Sequence, residues 1–137
     1  DPAPDLPPCL YSRMRAATRR LLAHYEAHLK SAGLSMVQFG LLIAAAEEPG
    51  LTMSRLAAKR EISPSTLTRT LRPLLLEGPF ETFADDENKR LRRVRLTRAG
   101  GERMRAGHAA WKKAQTLAGK AVPPALVDRV LGAAMAL

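Results

Sequence analysis

The chain has 137 residues, 46% of them hydrophobic, so it is long and apolar enough to fold as one domain and too apolar to be a disordered tail. Its 22 Lys and Arg against 13 Asp and Glu give a net charge of +9, which favours an anionic partner, either nucleic acid or a lipid surface. With one Trp, two Tyr and three Phe, the chain is poorly supplied for stacking on single-stranded bases, so duplex DNA is the leading partner.

The first third of the chain is predicted to hold a flexible arm and a long helix. Residues 1–9 are rich in proline and have neither the basic nor the apolar part of a signal peptide. No apolar run in the chain reaches the roughly 18 residues of a membrane span, so we expect a soluble, cytoplasmic protein with no membrane partner. Across residues 10–30, apolar side chains recur at helical spacing: Met14, Leu21, Tyr25 and Leu29.

A second helix is predicted after the break at Ala32 and Gly33. Ser35 and Gln38 form the pattern of a capping box in front of residues 36–46. These residues are apolar almost all round, so this helix must be buried on several sides.

Two short, closely spaced helices come next, in the pattern of a helix-turn-helix unit. Thr52 is placed to cap a helix that runs to about Arg60, and Ser63 followed by Pro64 begins the next helix. The second helix opens with small hydroxyl and basic residues that suit a DNA groove: Ser63, Ser65, Thr66, Thr68, Arg69 and Arg72. Because Pro73 removes a backbone donor, we expect a bend or an early loosening of the last turn.

From Phe80 the pattern becomes that of a β-hairpin. Residues 80–83 and 91–97 are predicted strands joined by the polar loop ADDENKR. In the second strand Val94 and Leu96 face one side, while Arg93 and Arg95 face the other.

Two more helices complete the predicted fold. Thr97 is placed to cap a long helix with a coiled-coil-like seam, formed by Met104, His108, Trp111, Gln115 and Ala118. We predict a mainly α protein of the α+β class, with about six helices and one hairpin. A winged helix-turn-helix domain spans residues 35–98, and dimerisation helices span residues 10–34 and 99–137. These outer helices carry more apolar surface than a small winged domain needs to cover, which favours a homodimer.

The positive charge has two concentrations inside the central domain. Residues 52–98 hold eleven basic and six acidic residues. Arg69 and Arg72 lie on the second helix of the helix-turn-helix, and a second group belongs to the hairpin: Lys89, Arg90, Arg92, Arg93, Arg95 and Arg98. A winged helix-turn-helix presents both places to one DNA surface, so we assign Arg69 mainly to bases and Lys89 to phosphate.

In this order of elements the chain resembles the MarR family of bacterial transcriptional regulators. The resemblance runs from Cys9 onward and includes GLSMVQFGLL and LTMSRLAAKREISPSTLTRTLRPL, with STLTR in the second helix. The family's wing pattern D-x-R-x(3)-V-x-L-T-x-x-G also recurs, but Asn88 replaces its Asp, so the carboxylate that orients the wing arginine is Asp86 or is absent. Gly78-Pro79-Phe80 likewise replaces the usual Gly-Leu-Ile.

The resemblance implies a function and a set of contacts. Ser65, Thr66, Thr68 and Arg69 take the recognition-helix positions, and Arg90 takes the minor-groove position. A homodimer with intertwined outer helices then binds a pseudo-palindromic operator with half-sites about 10 base pairs apart. The family also implies a repressor that releases DNA in response to a small ligand or an oxidant.

Cys9 and the histidines are weaker candidates for a site. Cys9 starts the first helix near Arg13, where its thiolate would be favoured, so it is a possible redox sensor; an incidental cysteine is the simpler interpretation. Any resolving disulfide would have to be intermolecular, because the chain has no second cysteine. His24 and His28 have the spacing of zinc ligands, and His108 could join them. We interpret them as surface or interface residues and predict no metal.

An effector pocket is a further candidate, lined by Met14, Tyr25, Phe39 and Trp111, although these residues also fit an ordinary core and dimer seam.

The chain lacks phosphate-loop, nucleophile-elbow and zinc-protease motifs, so we expect no enzyme and no cofactor. The alternatives to a sequence-specific regulator are a non-specific architectural DNA-binding protein and a basic membrane-surface protein. The first helix is the only candidate for membrane attachment, and its cations lie on several faces, which argues against it.

Overall fold

A computed structural model describes all of residues 1–137. The chain forms six α-helices and one two-stranded antiparallel sheet, as predicted. The elements are α1 (Leu10–Leu29), a 3-10 turn (Lys30–Ala32), α2 (Met36–Glu47), α3 (Met53–Lys59), α4 (Pro64–Glu77), β1 (Phe80–Ala84), β2 (Arg92–Leu96), α5 (Arg98–Ala121) and α6 (Pro124–Ala134). Residues 1–9 are exposed and lack regular secondary structure.

Four helices begin where their capping residues predicted. In each, a side-chain oxygen accepts a hydrogen bond from the backbone N–H three residues ahead. The four caps are Ser35, Thr52, Ser63 and Thr97. Ser35 and Gln38 complete the reciprocal capping box. Local hydrogen bonding therefore fixes the starts of the helices that build the winged domain.

The loosening of α4 expected at Pro73 does not occur. The helix continues for four residues beyond the proline and ends at Gly78, whose φ of 103° lies in the left-handed region. Leu71 and Leu74 on either side of the proline are buried in the core. Their burial holds the turn in place despite the missing backbone donor.

The core is built around α2. Half of its twelve residues are buried, and α1, α3, α4, α5 and β2 all pack against it. Leu41 and Leu42 of α2 belong to one apolar cluster with Leu67, Leu71 and Leu74, which form the inner face of α4. The outer face of α4 is thereby directed to solvent.

A short backbone connection fastens the hairpin to the rest of the domain. β1 and β2 pair from Phe80 with Leu96 to Ala84 with Arg92. The segment before α3 adds to the outer side of β2, because the Val94 N–H donates to the Leu51 carbonyl at 2.9 Å and Thr52 bridges to Arg93. The wing is therefore anchored on both sides of its second strand.

The seam of α5 packs largely inside the chain. Gly107 lies so close to α2 that a Cβ atom there would come within 3.0 Å of Phe39 and Leu34. Further along, His24 of α1 hydrogen-bonds the Ala114 carbonyl at 2.9 Å, and Tyr25 donates to Gln115. This seam therefore joins α5 to α1 and α2 of its own chain.

The apolar surface that remains uncovered lies mainly on α1 and α6. No residue of α6 is buried. No single helix has the length and hydropathy to cross a membrane. Only the segments Leu10–Ala32 and Met36–Glu47 taken together have the required length and hydropathy, and the break between them is bent by 67°.

Candidate nucleic-acid interface

The outer face of α4 presents hydroxyl groups that are partly engaged within the helix. The Ser63 Oγ accepts from the Thr66 N–H and donates to the Thr66 Oγ1 at 2.8 Å. Thr68 donates to the Pro64 carbonyl at 3.0 Å. Ser63 therefore fixes the start of the helix, while Ser65 and Thr68 lie exposed one turn apart.

Arg69 and Arg72 are the cations of this face. Both are exposed, and neither takes part in an ion pair. They line a groove with Ser65, Thr68 and Leu75. These guanidinium groups are free to meet an external anion or base edge.

The arginines of β2 differ from this, because protein groups hold each of them. The Arg95 Nε lies 2.6 Å from Glu81, and its guanidinium covers the Phe83 ring at 4.4 Å. Arg92 donates to the Thr82 hydroxyl at 2.8 Å. Arg95 therefore differs from the free cations of the hairpin, because the carboxylate of Glu81 on the paired strand neutralises its charge.

Arg93 joins the wing to the core. Its Nε lies 2.6 Å from Asp85, and its Nη1 donates to the Gly50 carbonyl at 2.8 Å. Gly50 follows α2, so the side chain spans from the hairpin to the loop before α3. The Arg93 side chain therefore holds the hairpin to the core, and it is not one of the cations without protein partners.

The wing turn is organised by Asp85. Its Oδ2 accepts from the backbone N–H groups of Glu87 and Asn88, and its Oδ1 accepts from Arg93. No carboxylate bonds the Arg90 side chain, so of the two predicted possibilities the orienting carboxylate is absent, and Asp85 orients Arg93 instead. Hydrogen bonds from Arg93 and from the Asn88 N–H hold the pKa of Asp85 below its usual value.

Lys89 and Arg90 are left free at the tip of the wing. Both are exposed and unpaired, and the Arg90 backbone N–H is held by the Asn88 side chain at 3.1 Å. Asn88 therefore organises the tip through the backbone, where the family's usual Asp would supply a charge. On the proposed DNA face, the cations whose side chains make neither a hydrogen bond nor an ion pair are two on α4 and two at the wing tip, while the exposed Arg92 keeps its charge and bonds only the Thr82 hydroxyl.

The residues of the predicted effector pocket are only partly brought together. Phe39 and Trp111 line a cavity of about 350 Å³ between α2 and α5. Met14 and Tyr25 do not line it: Met14 is half exposed on α1, and Tyr25 bonds Gln115. Arg60 also lines the cavity, and it could not be predicted there because no local sequence pattern connects it with α2.

The two weaker site candidates, the histidines and Cys9, have different surroundings in the structure. No group of three His, Cys, Asp or Glu residues has the geometry of a metal site. His24 bonds a backbone carbonyl, and His108 stacks on Trp111 with ring centroids 6.1 Å apart. Cys9 is exposed, and hydrogen bonds from Ser12 lower the pKa of its thiol.

These features define a winged helix-turn-helix protein with a two-part basic surface. The MarR family model matches residues 34–91. The Mycobacterium tuberculosis transcriptional regulator MosR, solved in complex with DNA, is 27% identical; the match covers 94% of this chain and 96% of that chain, with a TM-score of 0.79. Residues 34–91 are therefore similar in sequence to the MarR family, and the fold of almost the whole chain is similar to that of solved transcriptional regulators.

Two further structures share the fold at lower identity. A MarR-like regulator from Bacillus cereus is 21% identical over 93% of this chain and 95% of that chain, with a TM-score of 0.83. A MarR mutant from E. coli complexed with operator DNA is 18% identical over 92% of this chain and 91% of that chain, with a TM-score of 0.82. No curated protein matches the chain by sequence.

Replacement of Asp85 by Asn tests the charge that organises the wing. Because the pKa of Asp85 is lowered in the folded protein, the stability that its charge contributes is present at neutral pH and is lost as the pH falls from 3.8 through that lowered pKa. We expect Asp85→Asn to unfold at lower temperature than the wild type at neutral pH, with a difference that closes in acid. Thermal unfolding followed by circular dichroism across this pH range measures it.

Asp86→Asn is the matched control, since Asp86 is the adjacent carboxylate and makes no hydrogen bond or ion pair. An equal loss in both variants would assign the effect to the general charge of the loop and would remove the specific role of Asp85.

Proposed function

We propose that this protein is a homodimeric transcriptional repressor that binds a specific duplex DNA sequence and responds to a small ligand. The observation that carries the proposal is the distribution of unpaired cations. Arg69 and Arg72 on α4, and Lys89 and Arg90 at the wing tip, are free, whereas the strand arginines between them are bound to protein groups. Free charge thus occurs at the two places where a winged helix-turn-helix meets DNA.

The two parts of this surface have different chemistry. α4 is narrow enough for the major groove, and its Arg69 follows a turn of small hydroxyl residues that let the helix approach base edges closely. An arginine that contacts guanine in a bidentate manner contributes roughly 1–3 kcal/mol of discrimination. The wing tip offers charge on an exposed, narrow turn, which suits the minor groove or the phosphates.

Dimerisation is supported by the apolar surface that the chain leaves open. α6 exposes Leu126, Val127, Val130 and Leu131, and α1 exposes Tyr11 and Met14. Exposed apolar side chains in this number are unfavourable in water, and a second copy of the same helices would cover them with two-fold symmetry. Such symmetry places two recognition helices on a pseudo-palindromic operator.

The ligand response is supported by the cavity between α2 and α5. Its aromatic walls, Phe39 and Trp111, suit an apolar or planar molecule, and it lies where the helical scaffold meets the winged domain. An oxidant acting on the exposed Cys9 is the alternative input. Peroxide treatment separates the two, since Cys9→Ser removes an oxidant response and leaves a ligand response intact.

Arg69→Ala tests base recognition. We expect it to lower the affinity for the duplex that the wild-type protein enriches from a random-sequence library by about tenfold or more, because a bidentate contact is lost. Its affinity for unrelated duplexes changes much less. Fluorescence anisotropy with both duplexes at fixed salt measures the ratio. Failure to enrich any sequence, together with equal losses on all duplexes, would favour the non-specific architectural protein.

Arg90→Ala tests the wing contact. We expect weaker binding to every duplex and a slope of log affinity against log salt that is smaller by about one unit, because one phosphate contact is lost. Arg95→Ala is the matched control on the same hairpin, since Glu81 already neutralises that guanidinium. A salt slope that is unchanged in Arg90→Ala, or reduced equally in both variants, contradicts the assignment.

Leu131→Lys tests the dimer. Leu131 is 61% exposed on α6, and a charge there opposes burial against a second copy. We expect sedimentation velocity to show a dimer for the wild type and a shift to monomer for the variant. Leu76→Lys, at an 81% exposed position on α4, serves as control and stays dimeric. A wild-type monomer at micromolar concentration argues against the proposed assembly.

A further inference from the structure

The end of α4 and the start of α5 meet at a joint formed by Gly78, Pro79, Thr97 and Gly100. The Thr97 hydroxyl donates to the Gly78 carbonyl, and the Thr97 N–H donates to the Pro79 carbonyl at 3.1 Å. Gly100 lies so close to the same Pro79 carbonyl that a Cβ atom there would overlap its oxygen. The residues that follow α4 are therefore fastened to the first turn of α5, although the whole hairpin separates them in sequence.

One ion pair extends this joint to the helices themselves. The Arg103 Nη1 donates to the Glu77 Oε2 at 2.7 Å, and this contact is the only hydrogen bond or ion pair between α4 and α5. The Arg103 side chain is only 28% exposed. Because the contact is short and charge-assisted, it holds the end of α4 at one distance from α5.

Glu77 is poorly placed for the stability of α4 itself. It is the last residue of the helix, where the negative end of the helix dipole opposes an anion. The last turn of α4 holds no basic residue that would offset this charge. Local helix stability therefore gives no reason for an acid at this position, whereas the contact with Arg103 does.

The remaining packing of α5 on the winged domain is apolar. Gly107, one turn beyond Arg103, lies against Phe39 of α2. Packed helices can slide and rotate slightly against each other, whereas a bonded ion pair fixes the distance between two atoms. The Glu77–Arg103 pair is therefore the contact that limits rotation of the winged domain on α5.

A small rotation at this joint has a large effect at the other end of α4. The helix has 14 residues and is about 21 Å long, and Ser65 and Thr68 lie toward the end opposite Glu77. A rotation of about 10° around the Glu77 end moves that opposite end by roughly 3.5 Å, which is about the rise of one base pair. The angle at the joint therefore matters for the register of α4 on DNA.

We propose that the Glu77–Arg103 pair fixes the angle between α4 and α5 and thereby determines which half-site spacing the dimer accepts. The inference rests on the proposed function and adds a positioning pair that lies apart from the free cations of the DNA face. Because α5 belongs to the scaffold that joins the two copies, a fixed angle in each copy sets the distance between the two recognition helices.

The angle is measured without DNA, by double electron–electron resonance between two spin labels in one chain. The labels are attached to Ser65→Cys and Lys113→Cys, at exposed positions of α4 and α5, in a background of Cys9→Ser. Exchange with an excess of unlabelled protein leaves only distances within one chain. We expect a narrow distance distribution when the pair is intact and a broader one in Glu77→Gln. The charge swap, Glu77→Arg with Arg103→Glu, restores the narrow distribution because it forms the pair again with opposite signs.

The half-site spacing is measured on the library-selected duplex and on versions with one base pair inserted or deleted at its centre. For the wild type we expect either change to weaken binding at least about tenfold, because it shifts and rotates one half-site relative to the other. Glu77→Gln lowers this penalty to about threefold, a change within the range of one partly exposed ion pair, and the charge swap restores it.

Glu102→Gln is the matched control. It changes the net charge by the same amount and breaks the pair of Glu102 with Arg98, which lies within α5 and does not reach α4. We expect its spacing penalty and its label distances to equal those of the wild type.

Three results overturn the proposal: label distances that Glu77→Gln does not broaden, a spacing penalty in Glu77→Gln equal to that of the wild type, or a charge swap that melts as the wild type does and restores neither quantity. An effect of the same size in Glu102→Gln also overturns it. Failure to select any duplex overturns the proposed function and the spacing role with it, and the label distances still decide whether the pair sets the angle of α4.

Discussion

Burial of α2 from several sides is the constraint on which the arrangement of the other elements depends. A helix that is apolar around its whole circumference must be covered from several directions, and five elements of the chain supply that cover. α4 is one of these elements. Its leucine face packs inward, so its face of hydroxyl groups and arginines is exposed. The exposed recognition surface is therefore a consequence of how the central helix is covered.

The arginines of the winged domain also divide into two groups, according to whether their side chains have protein partners. Those with a nearby carboxylate or carbonyl serve the fold, as Arg93 does between Asp85 and the Gly50 carbonyl. Those without such partners form the candidate DNA surface. Each ion pair removes one cation and one acid, so pairing leaves the net charge of +9 unchanged and determines only where the free positive charge lies.

The sequence predicts those features whose physical cause is local. The helix starts at Ser35, Thr52 and Ser63 depend on partners within three residues, and the predicted bounds agree closely with the structure. Contacts between distant segments were not predictable in this way. The hydrogen bond from Arg93 to the Gly50 carbonyl joins residues 43 positions apart. The Arg60 guanidinium lies against the backbone at Gly40, and no periodic sequence pattern indicates this contact. The direction of the α5 seam, toward its own α1 and α2, likewise depends on tertiary packing.

The last helix shows how folding and assembly are related in this chain. α6 has eleven residues and none of them is buried, and an isolated helix shorter than about 12–15 residues is marginal in water. In the proposed dimer a second copy supplies the cover that α6 lacks within its own chain, so the helical content of α6 would depend on protein concentration as well as on temperature. In a cell, the abundance of the protein would then help to set how much of it is completely folded.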